Sequence, residues 1–408
     1  MSSYLRFLKE NAPWLAAGAL LSFLSSFGQT FFISVFSEEI RAAFGLSHGG
    51  WGLTYTVGTM TSAALVLWLG GLADVYRVRV MGTVVLTGLA LTLLAMSVNG
   101  SALLLPALIL GLRFFGQGMS SHLSFVAMAR WFVATRGKAL AVATGGFALA
   151  EAIMPLGVVA LKRVMDWRMI LVLGAVVCLA AIPLLWALLR RERTPQGDAE
   201  TSASVGMGGR HWTRMEVLRS PLFLALIPAL TAFPAFSTAF WFHQMHFAEL
   251  KGWVHLNFVA TFPIGTACFL GSTVAYGWAI DRWGTAPLLP LYLLPLAGAF
   301  LIHAISPTIP FEILGIMLMG VAGGGQATLP AACWAEFFGT RHIGSIKALV
   351  AAIMVLGSAL GPGIAGVLID AGIDLPAQYL FYAALFLGCS AMIAPVVRRA
   401  KAALPAAA

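Results

Sequence analysis

Two ionisable residues stand deep inside long apolar runs of this chain. Arg113 lies about 12 residues into the run 101–128, and Glu151 about 13 residues into the run 138–161. At 1.5 Å per helical residue, each sits roughly 20 Å from where its run begins. If these runs cross a bilayer, a charge at that depth costs at least about 2.5–3.5 kcal/mol, so each group must turn inward and find a partner. Two chemistries fit. Glu151 can carry a proton, because a desolvated carboxylate is stabilised by holding one; Arg113 is then its counter-charge or an anion contact. Alternatively the two form a fixed pair that joins neighbouring helices. Gln117, one turn beyond Arg113, shares the arginine's face. His122, nine residues on, points to the opposite side and reads as structural.

Other polar residues in apolar runs are Gln29 and Thr30, Asn257 and Thr261, and Gln326. They read equally well as solute contacts and as hydrogen bonds between helices. His243 and His246 come late in another run beside Trp241. They can titrate near neutral pH or serve as interfacial polar residues.

The elements that must position these groups follow from composition. Sixty per cent of residues are hydrophobic and 10% are charged, against about a quarter charged in a soluble protein; mean hydropathy is +0.89. Such a chain cannot cover its surface with polar groups, so its surroundings are the lipid bilayer. The runs lack the alternation of a barrel strand, which leaves helices of about 20 residues as the spanning form. Cys178, Cys268, Cys333 and Cys389 each fall in a different apolar run and read as packing residues; neither a disulfide framework nor a metal site is expected. Arg6 and Lys9 precede a run, 13–36, that is too long for a secretory signal and reads as a first span.

Twelve spans are expected, near 13–36, 48–73, 80–98, 101–128, 138–161, 168–189, 221–247, 255–280, 286–305, 309–334, 344–369 and 376–397. The fold class is therefore an all-α membrane protein. The links are short except 190–220, a polar stretch rich in Gly, Ser and Thr that reads as a flexible, solvated linker. It divides a six-helix bundle over 1–189 from another over 221–408. With the N-terminus cytoplasmic, nineteen lysines and arginines fall on the cytoplasmic side, five fall outside, and Arg113 lies within a span. That asymmetry places both termini and the linker in the cytoplasm. It also accounts for the net charge of +9 without a nucleic-acid role.

The two halves repeat. GGLADVYRVRV (70–80) returns as YGWAIDRWGTA (276–286), with Gly70 and Gly277 offset by the same 207 positions as Asp74 and Asp281. ARWFVATRGKA (129–139) returns as AEFFGTRHIGS (335–345), which pairs Arg136 with Arg341 and Arg130 with Glu336. Pro155 aligns with Pro362, and His48 with His255. This is a parallel repeat of two six-helix units. Asp74 is expected to form a charged latch with Arg77, Arg79 and Arg130, and Asp281 and Arg282 to stand opposite Glu336. As exposed pairs these latches would tune a population rather than lock it.

The whole chain resembles the major facilitator superfamily of secondary transporters. Gly70, Asp74 and Arg79, and Gly277, Asp281, Arg282 and Gly284, match the family's loop motif after helices two and eight. Val75 and Arg77 depart from it in the first copy. GLRFFGQG (111–118) is similar to the arginine motif of helix four, with one extra residue before its last glycine. The phrases RGKALAVATGG, LGSALGPGIAG and FWFHQMHFAELKGW look like bacterial monocarboxylate and oxalate–formate carriers. Span eight, however, holds no arginine or lysine of the kind those groups use for the anion.

The resemblance implies a proton-coupled secondary transporter of a small organic solute. It works by rocker-switch alternating access, with a monocarboxylate-like anion as the first substrate expected. A drug or metabolite efflux antiporter is the alternative, and a non-transporting receptor or assembly factor on the same scaffold is the second. No enzyme activity or cofactor is expected. The expected state is a monomer in a bacterial inner membrane.

Overall fold

The computed structural model describes residues 3–132, 135–191 and 205–404; the side chain of Asp74 and the linker residues 192–204 lie outside that description. Among the described residues the secondary structure is helical throughout. Ten helices are long and apolar enough to cross a bilayer. The pair Ala12–Gly28 and Thr30–Phe44, bent by 46°, makes an eleventh span. The remaining expected span is the short helix Leu294–Ile305, preceded by turns over 286–293. Pro287, Pro290 and Pro295 remove backbone donors there, so the stretch cannot form one regular helix.

In chain order we label the spans α1 (the bent pair), α2 (His48–Leu69), α3 (Val78–Val98), α4 (Ala102–Trp131), α5 (Arg136–Leu161), α6 (Trp167–Leu188), α7 (Pro221–Phe242), α8 (His255–Trp283), α9 (Leu294–Ile305), α10 (Ile309–Phe338), α11 (Ile343–Asp370) and α12 (Leu375–Ala402). The chain forms two compact units: Met1–Glu200 with Trp241–Met245, and Thr201–Phe240 with His246–Ala408.

The internal repeat is visible in which helices touch. In the first unit α1 packs on α5, α2 on α4, and α3 on α6. In the second, α8 packs on α10 and α9 on α12, and Thr238 of α7 shares a 3.0 Å hydrogen bond with Ser358 of α11. Without a hydrophobic force to join helices in lipid, close backbone approach must supply the attraction, and small residues permit it. A Cβ on Gly146 of α5 would lie 2.9 Å from the Ala19 Cα of α1. On Gly357 of α11, about one turn beyond the aligned position, it would lie 3.2 Å from the Thr231 Cα of α7. The α9–α12 contact is aromatic, with the Phe300 and Phe386 rings stacked at 6.0 Å and an interplanar angle of 7°.

The end of the expected linker is more ordered than its composition implies. Trp212 donates its backbone N–H to the Phe338 carbonyl (3.0 Å), and Gly208 donates to that of Ala403 (2.8 Å). The Trp212 ring meets Phe338 edge-on at 5.6 Å. A short helix, Arg214–Leu218, then starts with a reciprocal cap between Thr213 and Glu216. Residues 205–220 are thereby held to the ends of α10 and α12, because Trp212 has an apolar surface to cover.

The tightest crossing in the first unit is between α1 and α4. A Cβ on Gly116 would sit 2.6 Å from the Gly28 Cα and 2.7 Å from its nitrogen. Gly116→Ala is therefore expected to cost about 1–3 kcal/mol through overpacking, read as a lower unfolding temperature of the purified protein. Gly145→Ala, whose Cβ would meet nothing within 4 Å, should leave that temperature unchanged. Equal behaviour of the two variants would show that the crossing is not close-packed.

Candidate functional site

In the first unit, α1 breaks where SSFGQT runs through the middle of the span. Ser25–Gly28 tightens to a 3₁₀ turn, and Gln29 is extended at φ −84°, ψ 156° before the helix resumes at Thr30. A break at this depth leaves carbonyls with no helical partner and no water to replace one. The neighbouring α4 supplies a donor at the break, Arg113 Nη1 to the Gly28 carbonyl (3.0 Å). It also bonds carbonyls of the regular helix before the break, Ser124 Oγ to that of Gly18 (2.6 Å) and Ser120 Oγ to that of Leu21 (2.8 Å). Along Leu112–Ser120, α4 itself widens to a π-helix, a distortion that recurs at functional sites.

Arg113 is fully enclosed at 1% exposure. Its Nη1 also reaches Thr30 Oγ1 at 3.5 Å, and that hydroxyl shares a 2.6 Å hydrogen bond with Tyr55 Oη. The guanidinium carbon lies 5.3 Å from the Tyr55 ring centre, where the ring quadrupole attracts a cation. Its Nε has no hydrogen-bond partner. Arg113, Thr30, Tyr55 and the Gly28 carbonyl thus form one buried polar cluster.

Glu151 does not belong to that cluster. It is half-buried on α5 and makes no ion pair or hydrogen bond among the described residues, so the expected Arg113–Glu151 pair is absent. Arg113 turns instead to the Gly28 carbonyl and Thr30. Gln117 is half-buried in the π-helical stretch, and Gln29 is buried at the break.

The other expected contacts separate. His243 is buried at the end of α7, with its ring 5.0 Å from Phe242 and 6.1 Å from His48. Trp241 is half-buried just before it. Asn257 is exposed in the first turn of α8, not buried as its apolar surroundings imply. Thr261 is buried and bonds its own helix, at the Phe258 carbonyl (2.7 Å). In the second unit Gln326 of α10 donates to Met354 Sδ of α11 at 3.8 Å, and its Oε1 is buried without a partner.

The two loop-motif copies do not fold alike. At the first, Arg130 Nη1 donates to the Ala73 carbonyl (3.1 Å), and His122 Nε2 lies 3.2 Å from the Gly70 carbonyl. The expected Asp74 latch falls on a side chain outside the described residues. Arg79 turns away to stack on Trp186 of α6, 5.0 Å from the ring centre, while Arg77 is exposed.

At the second copy, Glu336 accepts the Thr285 backbone N–H at 2.8 Å, next to Gly284 in the left-handed region at φ +73°. Glu336 does not face an Asp281–Arg282 latch. Asp281 is exposed without an ion pair among the described residues, and Arg282 lies 5.7 Å from the Trp278 ring. Gly277 has open space around it where Gly70 is confined. The aligned residues Arg130 and Glu336 do the same job with opposite polarity: one caps a carbonyl, the other an N–H.

Sequence reasoning missed Tyr55, which is an ordinary aromatic until the fold brings it to Arg113. It also missed His303 and Glu312, which form a fully buried pair in the second unit, His303 Nδ1 to Glu312 Oε1 at 2.5 Å. Both lie inside expected spans, nine residues apart across one short link, which was the available signal.

Comparison with known proteins fits this geometry. The Major Facilitator Superfamily model matches residues 18–302 and 256–407. The chain belongs to that superfamily, and its span-capable helices make it a multi-pass membrane protein. A multidrug resistance protein B homolog of Mycobacterium tuberculosis is 32% identical over 117 residues, 29% of this chain and 21% of that relative's length. Two solved structures share the fold at 14% identity. One is a bacterial homolog of the human lysosomal transporter Spinster, inward-facing and unoccupied, with a TM-score of 0.68 and 100% of each chain covered. The other is the nucleoside transporter NupG, with a TM-score of 0.65, covering 95% of this chain and 99% of that one.

Removing Arg113 should leave the Gly28 carbonyl buried and unsatisfied, so Arg113→Met is expected to cost about 1–3 kcal/mol of stability. Glu151→Gln removes no bond and should leave the unfolding temperature essentially unchanged. Equal losses from both would restore the pairing of the two residues.

Proposed function

We propose that this protein is a proton-coupled secondary transporter of a small organic solute, working by alternating access with Glu151 as its proton carrier. The observation that carries the reading is a carboxylate midway along α5, half-buried, with no ion pair or hydrogen bond among the described residues. A carboxylate tied to an arginine would hold one charge state, whereas an untied one can exchange charge for a proton as its surroundings change. Arg113, Gln117, Gln29 and Thr30 around the α1 break, with Trp241 and His243, and Asn257 and Gln326 in the second unit, are the proposed solute path. Gly70, Asp74, Arg77, Arg79, Arg130, Gly277, Asp281, Arg282 and Glu336 are the proposed gate elements on the side of the termini. The distribution of lysine and arginine supports cytoplasmic termini. The proposed setting is a bacterial inner membrane, and the proposed state a monomer.

The first substrate class is a monocarboxylate-like anion, for which the buried guanidinium of Arg113 is the available countercharge. A drug or metabolite exporter is the second reading. It is favoured by the absence of any arginine or lysine from α8 before Arg282 and by the partial likeness to a multidrug resistance homolog.

Counterflow of radiolabelled monocarboxylates and of amphipathic cations into proteoliposomes separates the two classes. With the transported solute in hand, an imposed pH gradient is expected to drive its accumulation in wild type. In Glu151→Gln, counterflow should persist while the gradient no longer drives accumulation. Undiminished coupling in that variant would remove Glu151 from the role.

A further inference from the structure

The second unit holds a buried ionisable cluster that the proposed proton carrier does not involve. His303, at the end of α9, and Glu312, in the first turn of α10, are both 0% exposed. Glu312 Oε1 lies 2.5 Å from His303 Nδ1, and Oε2 accepts the Ser306 hydroxyl at 2.7 Å. The imidazole stacks on Phe240 at 4.4 Å and is walled by Phe247, Phe300 and Tyr379 at 6.2, 5.9 and 6.0 Å. A Cβ on Gly315 would lie 2.7 Å from His303 Nδ1, so the glycine is what admits the ring against α10.

Two buried polar atoms in this box have no hydrogen-bond partner: His303 Nε2 and Tyr379 Oη. Lys251, on the link between α7 and α8, completes the cluster. Its Nζ donates to the Ala304 and Ser306 carbonyls at 2.9 and 3.0 Å. Burial pushes its ammonium below the usual lysine range, and the charge of Glu312 partly offsets this.

Charge counting shows what the box can do. The dyad with one proton shared between Nδ1 and Oε1 and none on Nε2 carries −1, which the +1 of Lys251 balances. A second proton on Nε2 makes the dyad neutral. The facing groups are Glu312 from α10, Lys251 from the α7–α8 link and Tyr379 from α12. Glu312 brings a negative charge to the ring, and Lys251 a positive one to the Ser306 carbonyl beside it. Pro307 and Thr308, just beyond Ser306, are exposed.

We propose that His303 and Glu312 form a proton-binding site of the second unit, with His303 Nε2 as the atom that takes the proton. In this step a hydronium O–H bond breaks, the Nε2–H bond forms and water leaves. The Nδ1–Oε1 hydrogen bond persists throughout. The site is separate from Glu151 and stands whether or not Glu151 carries the transported proton.

The test is a pH titration of the full-length protein in nanodiscs, with its eight histidines labelled with nitrogen-15, over about pH 5 to 9, where imidazoles change charge. One imidazole should titrate with a midpoint that moves in opposite senses in two variants. Glu312→Gln should lower its proton affinity about tenfold or more, and Lys251→Met should raise it. His303→Gln should remove that signal, and Glu151→Gln should leave its midpoint where it was. If Glu312→Gln does not fold, the rise with Lys251→Met alone decides. A purely structural weld would shift unfolding temperatures in these variants with no histidine midpoint moving in the stated sense, and that result overturns the proposal. A change of this midpoint in Glu151→Gln would overturn the site's independence.

Discussion

Hydrocarbon offers a backbone carbonyl no partner, and much of the first unit is arranged around that constraint. A helix that breaks in mid-span must be completed by its neighbour. Here α4 completes α1 through Arg113, which donates to the Gly28 carbonyl at the break, while Ser120 and Ser124 bond the Leu21 and Gly18 carbonyls of the helix before it. The glycines Gly28 and Gly116 let the two backbones come close enough for those bonds to form. The same contact explains why an arginine is tolerated at this depth. Its charge is met by a carbonyl dipole and an aromatic face, and not by a carboxylate.

Glu151 stands apart from that arrangement, with no ion pair or hydrogen bond among the described residues. An unpaired charge in low dielectric is costly, which is why the two groups read as a pair in the sequence. The second unit solves the equivalent problem locally. His303, Glu312, Ser306 and Lys251 share donors, acceptors and countercharge within one aromatic box. The two halves therefore keep the same helix partners while placing their ionisable groups differently.

The loop-motif copies show how a repeat diverges under a conserved geometric demand. In each copy the end of a later helix, α4 or α10, caps the turn that follows the second span of its half. Arg130 does so by donating to the Ala73 carbonyl, and Glu336 by accepting from the Thr285 N–H. Either polarity serves, because a helix end or turn exposes both unpaired carbonyls and unpaired N–H groups. In sequence the alignment sets a basic residue, Arg130, against an acidic one, Glu336. In space it is one capping role filled from either side.

The sequence by itself determined that the chain crosses a membrane many times, that its halves repeat and that Arg113 and Glu151 lie at depth. These properties follow from local hydropathy, spacing and an offset that survives divergence, none of which needs a partner residue. Only the tertiary structure decided which groups meet. Arg113 goes to the Gly28 carbonyl and Tyr55 and not to Glu151, Asn257 is exposed, Arg79 turns to Trp186, and His303 reaches Glu312 across a link. Each outcome depends on where a neighbouring backbone leaves an unsatisfied group or a ring leaves a face. That is a property of helices brought together, and no single helix's sequence contains it.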